Sequence, residues 1–412
     1  MKKNYLSLSV IIFVAFASCV SFCRVEKAVA HDQEFLLDSI SIDLPEEYKD
    51  CVDISALIVD LKYDGDSLKV LEFGNIMTSN ISGHEDLYGK NVIWKRFWDY
   101  LKSFGLGVWC VGPIYKSKWA LYISRKKFVE LGSRYSPSVQ SLKKDCLFKK
   151  LLNKEFDYPS PTIEDHRYII LKSYSSLKKA HKKERKKFPG FMFLNEVARR
   201  YGNSKGALSR LFKSEYLKNF KPEWHIYPAE YSKKLVEKIK RDFKADTLVI
   251  KPVCASRGLG VIVVEKKNLD ETLNMILTKE DTIKVVKDPA FRFWTRRKRK
   301  RVLIESFEES KHVTKDGKKY DATMRVVFVL CCNKGKINVS FLGSYWKLPG
   351  KDLSASCSLT EKHKSLVVQG NHTKDVVTTT PLKVDPIDAK HVQEMLADIL
   401  PKLYLNMIKN KR

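Results

Sequence analysis

The stretch Leu248-Val249-Ile250-Lys251-Pro252-Val253-Cys254-Ala255-Ser256-Arg257-Gly258-Leu259-Gly260-Val261 is an apolar run that ends on a lysine and turns through small residues into a second apolar run. Thr247–Ile250 reads as a strand and Val261–Glu265 as its hairpin partner. A loop of small residues between two strands lets backbone N–H groups approach phosphate oxygens, and Lys251 adds a fixed positive charge. The GxxxxGK[ST] pattern of a P-loop is absent. A dinucleotide-binding turn is excluded as well, because that turn opens a helix and this one leads into a strand. Taken alone, the stretch also suits an ordinary hairpin.

Working outward, three further strands follow. Val302-Leu303-Ile304-Glu305-Ser306-Phe307 is apolar with a carboxylate near its end, Asp321–Leu330 carries Arg325 just before an apolar run, and Gly343–Pro349 carries Lys347. Upstream, Lys205 lies in Gly202-Asn203-Ser204-Lys205-Gly206, with Lys213 as its rival. This order resembles the ATP-grasp superfamily, in which a Lys-Pro strand leads into a flexible glycine loop. The resemblance implies two α+β subdomains clasping ATP. It assigns Lys205, Lys251, Ser256, Arg257, Gly258 and Gly260 to the phosphates, and Glu305 and Phe307 to adenine and ribose. Lys251, Arg325 and Lys347 become the catalytic cations.

Members of that superfamily usually end on an Asp and a Glu-x-Asn that hold Mg²⁺. Nothing after Lys347 supplies this; Gln369-Gly370-Asn371 has Gln in place of Glu. An early hairpin offers a substitute. Val59-Asp60-Leu61 and Leu71-Glu72-Phe73-Gly74-Asn75 flank the turn signal Asp64-Gly65-Asp66. Twelve positions separate Asp60 from Glu72, so the two carboxylates can point the same way across the turn. Such an order resembles circularly permuted ATP-grasp ligases such as eukaryotic glutathione synthetase. On that resemblance Asp60, Glu72 and Asn75 become the Mg²⁺ ligands, although Glu72-x-x-Asn75 is one residue longer than the family's spacing. Each motif alone has a plain reading as a surface charge or a salt-bridge partner.

The implied activity is that of an ATP-dependent carboxylate–amine ligase acting through an acyl phosphate. Two alternatives stand beside it. One is an ATP-grasp kinase acting on a polyanionic hydroxyl substrate, as inositol phosphate kinases of the superfamily do. The other is a non-enzymatic protein that binds nucleic acid or an anionic membrane surface. Its basis is the clusters at 178–187 and 296–301 and the aromatics Phe291, Phe293 and Trp294. Tubulin-modifying ligases share the superfamily and favour acidic tails, which is analogy only.

The whole chain bears on these readings. Of its 412 residues, 76 are Lys or Arg and 48 Asp or Glu, giving +28, with 44% hydrophobic and 11% aromatic residues. That composition excludes disorder, and no repeat of 20–50 residues suggests a solenoid. The excess suits acidic or phosphorylated partners, nucleic acid or an anionic membrane, or simply a solvated surface. Lys2, Lys3, the apolar run Leu6–Cys23 and Ala28-Val29-Ala30 read as a signal peptide or membrane anchor over 1–30. Residues 31–412 still carry +25. The expected division is therefore 1–30, an α/β region with the metal-ligand hairpin over 31–190, and a nucleotide-binding region over 191–412. Nine cysteines without a CxxC pair fit buried free thiols and a reducing setting, in tension with export. An ATP-dependent enzyme would in any case need a compartment that contains ATP. Finer expectations are a helix over 91–104, a helical stretch over 194–217, a helix over 231–245, and a C-terminal helix over 386–410 broken at Pro401.

Overall fold

The computed structural model describes residues 34–76, 78–111, 129–152, 162–172, 191–202, 204–255, 258–278, 289–295, 300–363 and 380–410. Residues 36–412 form one compact unit. Its first strands are β1 (Ile40–Asp43), β2 (Asp53–Tyr63) and β3 (Leu68–Asn75), followed by helices α1 (Thr78–Tyr88) and α2 (Val92–Ser103). The β2–β3 turn forms where Asp64-Gly65-Asp66 placed it. The Asp64 carboxylate accepts from the Asp66 and Ser67 amides at 2.9 and 2.7 Å, and Gly65 takes φ 119°. Next come β4 (Gly107–Val111), β5 (Arg134–Ser136), β6 (Tyr168–Lys172) and β7 (Phe191–Phe193), which pair in parallel in the order β5-β4-β6-β7.

The short helix α3 (Lys205–Ser209) leads to β8 (Trp224–Pro228), α4 (Lys233–Asp242), β9 (Thr247–Pro252), β10 (Ile262–Glu265), α5 (Leu269–Thr278), α6 (Pro289–Thr295) and β11 (Arg301–Ser306). These strands form an antiparallel sheet ordered β10-β9-β11-β8, and α4, α5 and α6 bury Val236, Ile239, Leu273 and Trp294 against it. The hairpin β12 (Val313–Lys315) and β13 (Lys318–Tyr320) precedes β14 (Thr323–Asn333), β15 (Lys336–Leu348), α7 (Leu359–His363), β16 (Thr380–Leu382) and α8 (Pro386–Lys409).

The central sheet runs β1-β15-β14-β2-β3, with β16 also on β15, so it joins strands from both sides of residue 190. Its strands β2 and β14 are buried throughout, because both faces are covered. On one face Ile54, Ala56, Ile58, Val327, Val329 and Cys331 pack against α2 and β4. On the other, α8 packs through Val392, Leu396, Leu400 and Leu403, and Tyr404 donates to the Asp53 carboxylate.

Two expectations are corrected. The helical stretch over 194–217 is instead a run of short turns around α3, because Asn195 takes a positive φ of 61° and Gly202 interrupts the pattern. Helix α8 runs unbroken through Pro401, whose buried ring is held by tertiary packing that outweighs the single lost backbone bond. The signal or anchor segment at 1–30 lies outside the described residues. No helix among the described residues is long and apolar enough to cross a membrane.

Candidate active site

Along β2 the inward alternation changes character at Asp60. Ile54, Ala56 and Ile58 are apolar, and then Asp60 and Lys62 occupy the same face. On β14 the same change follows Cys331, Val329 and Val327, because Arg325 stands directly opposite Asp60. Glu72 on β3 faces Asp60 from the other side, at a register irregularity between Asp60 and Leu61. Lys347, two positions along β15 from Tyr345, completes a row of charges across the sheet. Asp60 is 3% exposed and fully engaged. Arg325 grips it with Nε to Oδ1 at 2.6 Å and Nη2 to Oδ2 at 2.7 Å, and Lys347 Nζ donates to Oδ2 at 2.6 Å. Burial raises the Asp60 carboxyl, yet Arg325 and Lys347 outweigh it and hold it well below the usual carboxylate range. Burial beside Arg325 lowers the Lys347 ammonium.

A second layer of lysines closes over this row. Lys205 Nζ lies 2.7 Å from the Glu72 carboxylate and donates to the Ala255 carbonyl at 2.6 Å, tying the hairpin to the loop after β9. Against its own burial, Glu72 is held low by Lys205. Glu305 on β11 is 0% exposed and pairs with two lysines, Lys251 from β9 and Lys221 at 2.5 Å. Lys221 also donates to the Leu71 carbonyl of β3 at 3.3 Å, so it bridges the two sheets. Burial pushes the Lys221 ammonium down to about 8, with Glu305 opposing. A third group adjoins: Lys62 donates to the Asp321 carboxylate at 2.6 Å, His363 Nδ1 lies 2.6 Å from the same oxygen, and the Ser310 amide donates to the other at 2.7 Å. Burial lowers the Lys62 ammonium, with Lys251 acting in the same direction. Glu72 in turn interacts with Lys347, and Lys221 with Lys205, so the groups form one electrostatic network.

The structure thus brings together Asp60, Glu72, Lys205, Lys251, Glu305, Arg325 and Lys347. Asn75 is not among them. It pairs with Leu57, three residues from Glu72 and on the opposite face, and its side-chain oxygen accepts from Asn195 at 3.0 Å. Glu305 stands as a counter-ion rather than as an open acceptor for a sugar. Phe307 lies at the end of β11, its amide bonded to the Thr247 carbonyl and its ring edge-on to His363 at 4.6 Å. Gly258 and Gly260 take φ of 62° and 71°, and Trp294 Nε1 donates to the Gly260 carbonyl at 3.0 Å, seating the loop on α6. Ser256 and Arg257 lie outside the described residues. Lys213 is exposed.

Sequence reading missed Lys62, Lys221 and Asp321. The first had a signal, a lone lysine at an inward position of an apolar strand; the other two had none. Of the basic clusters, 178–187 lies outside the described residues, and Lys300 and Arg301 are exposed. Trp294 is buried in the core of the sheet formed by β8, β9, β10 and β11, and Phe291 and Phe293, half-buried, pack against it. Among the described residues no group of three or more His, Cys, Asp or Glu gathers around a metal position.

No protein-family model matches the chain, and no curated protein matches it in sequence. Among solved structures it is similar to a gamma-glutamylcysteine synthetase-like protein of Methylobacillus flagellatus KT, at 10% identity and a TM-score of 0.42, over 89% of this chain and 92% of that one. It is also similar to D-alanyl-alanine synthetase A of Vibrio cholerae O1 biovar eltor str. N16961, at 11% identity and a TM-score of 0.33, over 74% and 81%. At such identities and scores neither neighbour assigns an activity to this chain.

Proposed function

We propose that the protein is an ATP-dependent carboxylate–amine ligase of circularly permuted ATP-grasp type, working through an acyl phosphate. The observation that carries this reading is the buried network in which Lys205, Arg325 and Lys347 converge on the Asp60–Glu72 pair while Lys251 and Lys221 flank Glu305 beside it. Cations in this number, buried beside two carboxylates and a glycine loop, suit a triphosphate better than they suit stability, since buried charge is costly to retain. The carboxylate strands come first in sequence yet share a sheet with Arg325 and Lys347, which supports the permuted order.

Asp60 and Glu72 would hold Mg²⁺. Two cross-strand carboxylates fit an ion that keeps several waters and takes its remaining ligands from phosphates. Bound there, the ion supplies charge neutralisation at the phosphate oxygens. Lys205 and Lys251 would orient the phosphates, and Arg325 and Lys347 would stabilise charge on the transferred group. A substrate carboxylate oxygen attacks the γ-phosphorus as the bond to ADP breaks. An amine nitrogen then attacks the acyl carbon, phosphate leaves, and the amine gives up its proton. The charge of +25 over residues 31–412 supports an acidic or phosphorylated substrate, and ATP requires a working compartment that contains it.

The test is binding of a non-hydrolysable ATP analogue with Mg²⁺, followed by thermal shift and calorimetry. Saturable binding lost in Lys251→Ala supports the reading. Salt-sensitive retention of RNA or anionic vesicles without any nucleotide response would replace it with the binding-protein reading.

A further inference from the structure

Asp60 has an unusual place for a metal ligand, because its two oxygens are already occupied by three charge-assisted hydrogen bonds from two cations. Arg325 Nη1 also donates to the Asn80 carbonyl at 2.9 Å, and Asp60 is the sole acid in hydrogen-bond contact with Lys347 among the described residues. The carboxylate therefore stands where a phosphate oxygen pair would stand, gripped in the bidentate manner of an arginine on an oxyanion.

Resting on the proposed nucleotide site, we infer that Asp60 is an internal counter-ion that closes the Arg325–Lys347 anion site until a divalent cation and a polyphosphate enter together. Charge balance in the buried network carries the argument. Its carboxylates are Asp60, Glu72, Glu305 and Asp321; its cations are Lys62, Lys205, Lys221, Lys251, Arg325 and Lys347. Leaving aside the imidazole of His363 on Asp321, four acids against six lysine and arginine side chains leave two positive charges. A divalent cation alone would add to that excess, and a triphosphate chain carrying four negative charges, as in a nucleoside triphosphate, would alone overshoot it. The pair together carries two negative charges and balances the network. Either partner alone leaves uncompensated charge in a buried place, which is the expensive outcome. With a cation held beside Glu72, Asp60 would turn from Arg325 and Lys347, and the same two groups would then be open to the polyphosphate.

The experiment uses inorganic tripolyphosphate in EDTA, measured by calorimetry on the full chain. This probe has no nucleoside and allows no ligase turnover. Wild type is expected to bind it at least tenfold more weakly than in the presence of Mg²⁺, and to bind Mg²⁺ alone without measurable heat. Asp60→Asn removes the internal charge and keeps the shape. It is expected to bind metal-free tripolyphosphate at least tenfold more tightly than wild type, and Lys347→Met in that background is expected to abolish the gain. A gain short of tenfold, or a loss, overturns the inference. If Asp60→Asn does not fold, the wild-type comparison decides: equal affinity with and without Mg²⁺ overturns it. Failure here separates from failure of the ligase reading. A wild type deaf to the ATP analogue with an Asp60→Asn variant that gains tripolyphosphate refutes the ligase reading alone. The reverse pattern refutes the counter-ion alone.

Discussion

Glu305→Gln tests how the two lysines on either side of one buried carboxylate are held. The side chain is 0% exposed and its oxygens are divided between Lys221 and Lys251, themselves 3% and 6% exposed. Gln keeps the volume and one acceptor but removes the charge, leaving two buried ammonium groups without their counter-ion. Breaking a buried pair in this way costs about 3–5 kcal/mol. Unfolding entropy of about 2.1 cal/mol/K per residue, over the unit Leu36–Arg412, converts that to a fall in Tm of about 4–6 °C. Differential scanning calorimetry reads it directly. The second half of the experiment is Glu305→Gln with Lys221→Met. If the loss comes from stranded charge, removing one ammonium restores stability, and the double variant is more stable than Glu305→Gln by about 1 kcal/mol or more. A Glu305→Gln shift below about 1 °C, or a double variant as unstable as the sum of its singles, refutes the reasoning.

Other expectations concern pH, cysteine chemistry and the glycine loop. The folded state holds the carboxyls of Asp60, Glu72, Glu305 and Asp321 below their ordinary values, so they bind fewer protons than in the unfolded chain. Their contribution is present above about pH 4–5 and is lost as pH falls through the folded values; urea midpoints should drop steeply with acid, and less steeply in Asp60→Asn. For Lys221 the slope has the same sign but lies in the alkaline range. Its folded value of about 8 lies below the ordinary 10.5, so its contribution to stability grows as pH rises between the two, a slope that Lys221→Met removes. Native-state alkylation followed by mass spectrometry should label the exposed Cys146 and Cys254 first and spare Cys110, Cys331 and Cys332, the Cys331 thiol being pushed up to about 12 by burial. Gly260→Ala would set a Cβ 2.4 Å from the Phe293 ring and 2.7 Å from Pro252 at a positive φ. It should cost about 1–3 kcal/mol by chemical denaturation.

Local signals made much of the frame legible. The Asp64-Gly65-Asp66 turn fixes the hairpin, a one-residue irregularity beyond Leu61 then sets Asp60 opposite Glu72, and the small-residue loop after Lys251 separates two apolar strands that do pair. Helix α2 follows from the spacing of Ile93, Phe97 and Leu101. What stayed hidden depends on distant partners. Lys221 sits in Phe220-Lys221-Pro222, a local sequence like that of any solvated lysine, and is buried by a carbonyl 150 positions away and a carboxylate 84 positions away. The Asn75 assignment neglected strand alternation: a residue three positions from Glu72 falls on the other face. The division at residue 190 reflects chain order, whereas the central sheet joins β2 and β3 to β14 and β15 by pairing that no local pattern records.

The most direct measurement is the affinity of a non-hydrolysable ATP analogue with Mg²⁺ for wild type, Lys251→Ala and Glu72→Ala, each confirmed as folded by circular dichroism. Saturable binding to wild type, weakened at least a hundredfold in both variants, is the predicted result. Equal binding in all three, or none in wild type, would contradict the assignment of this network as a nucleotide site.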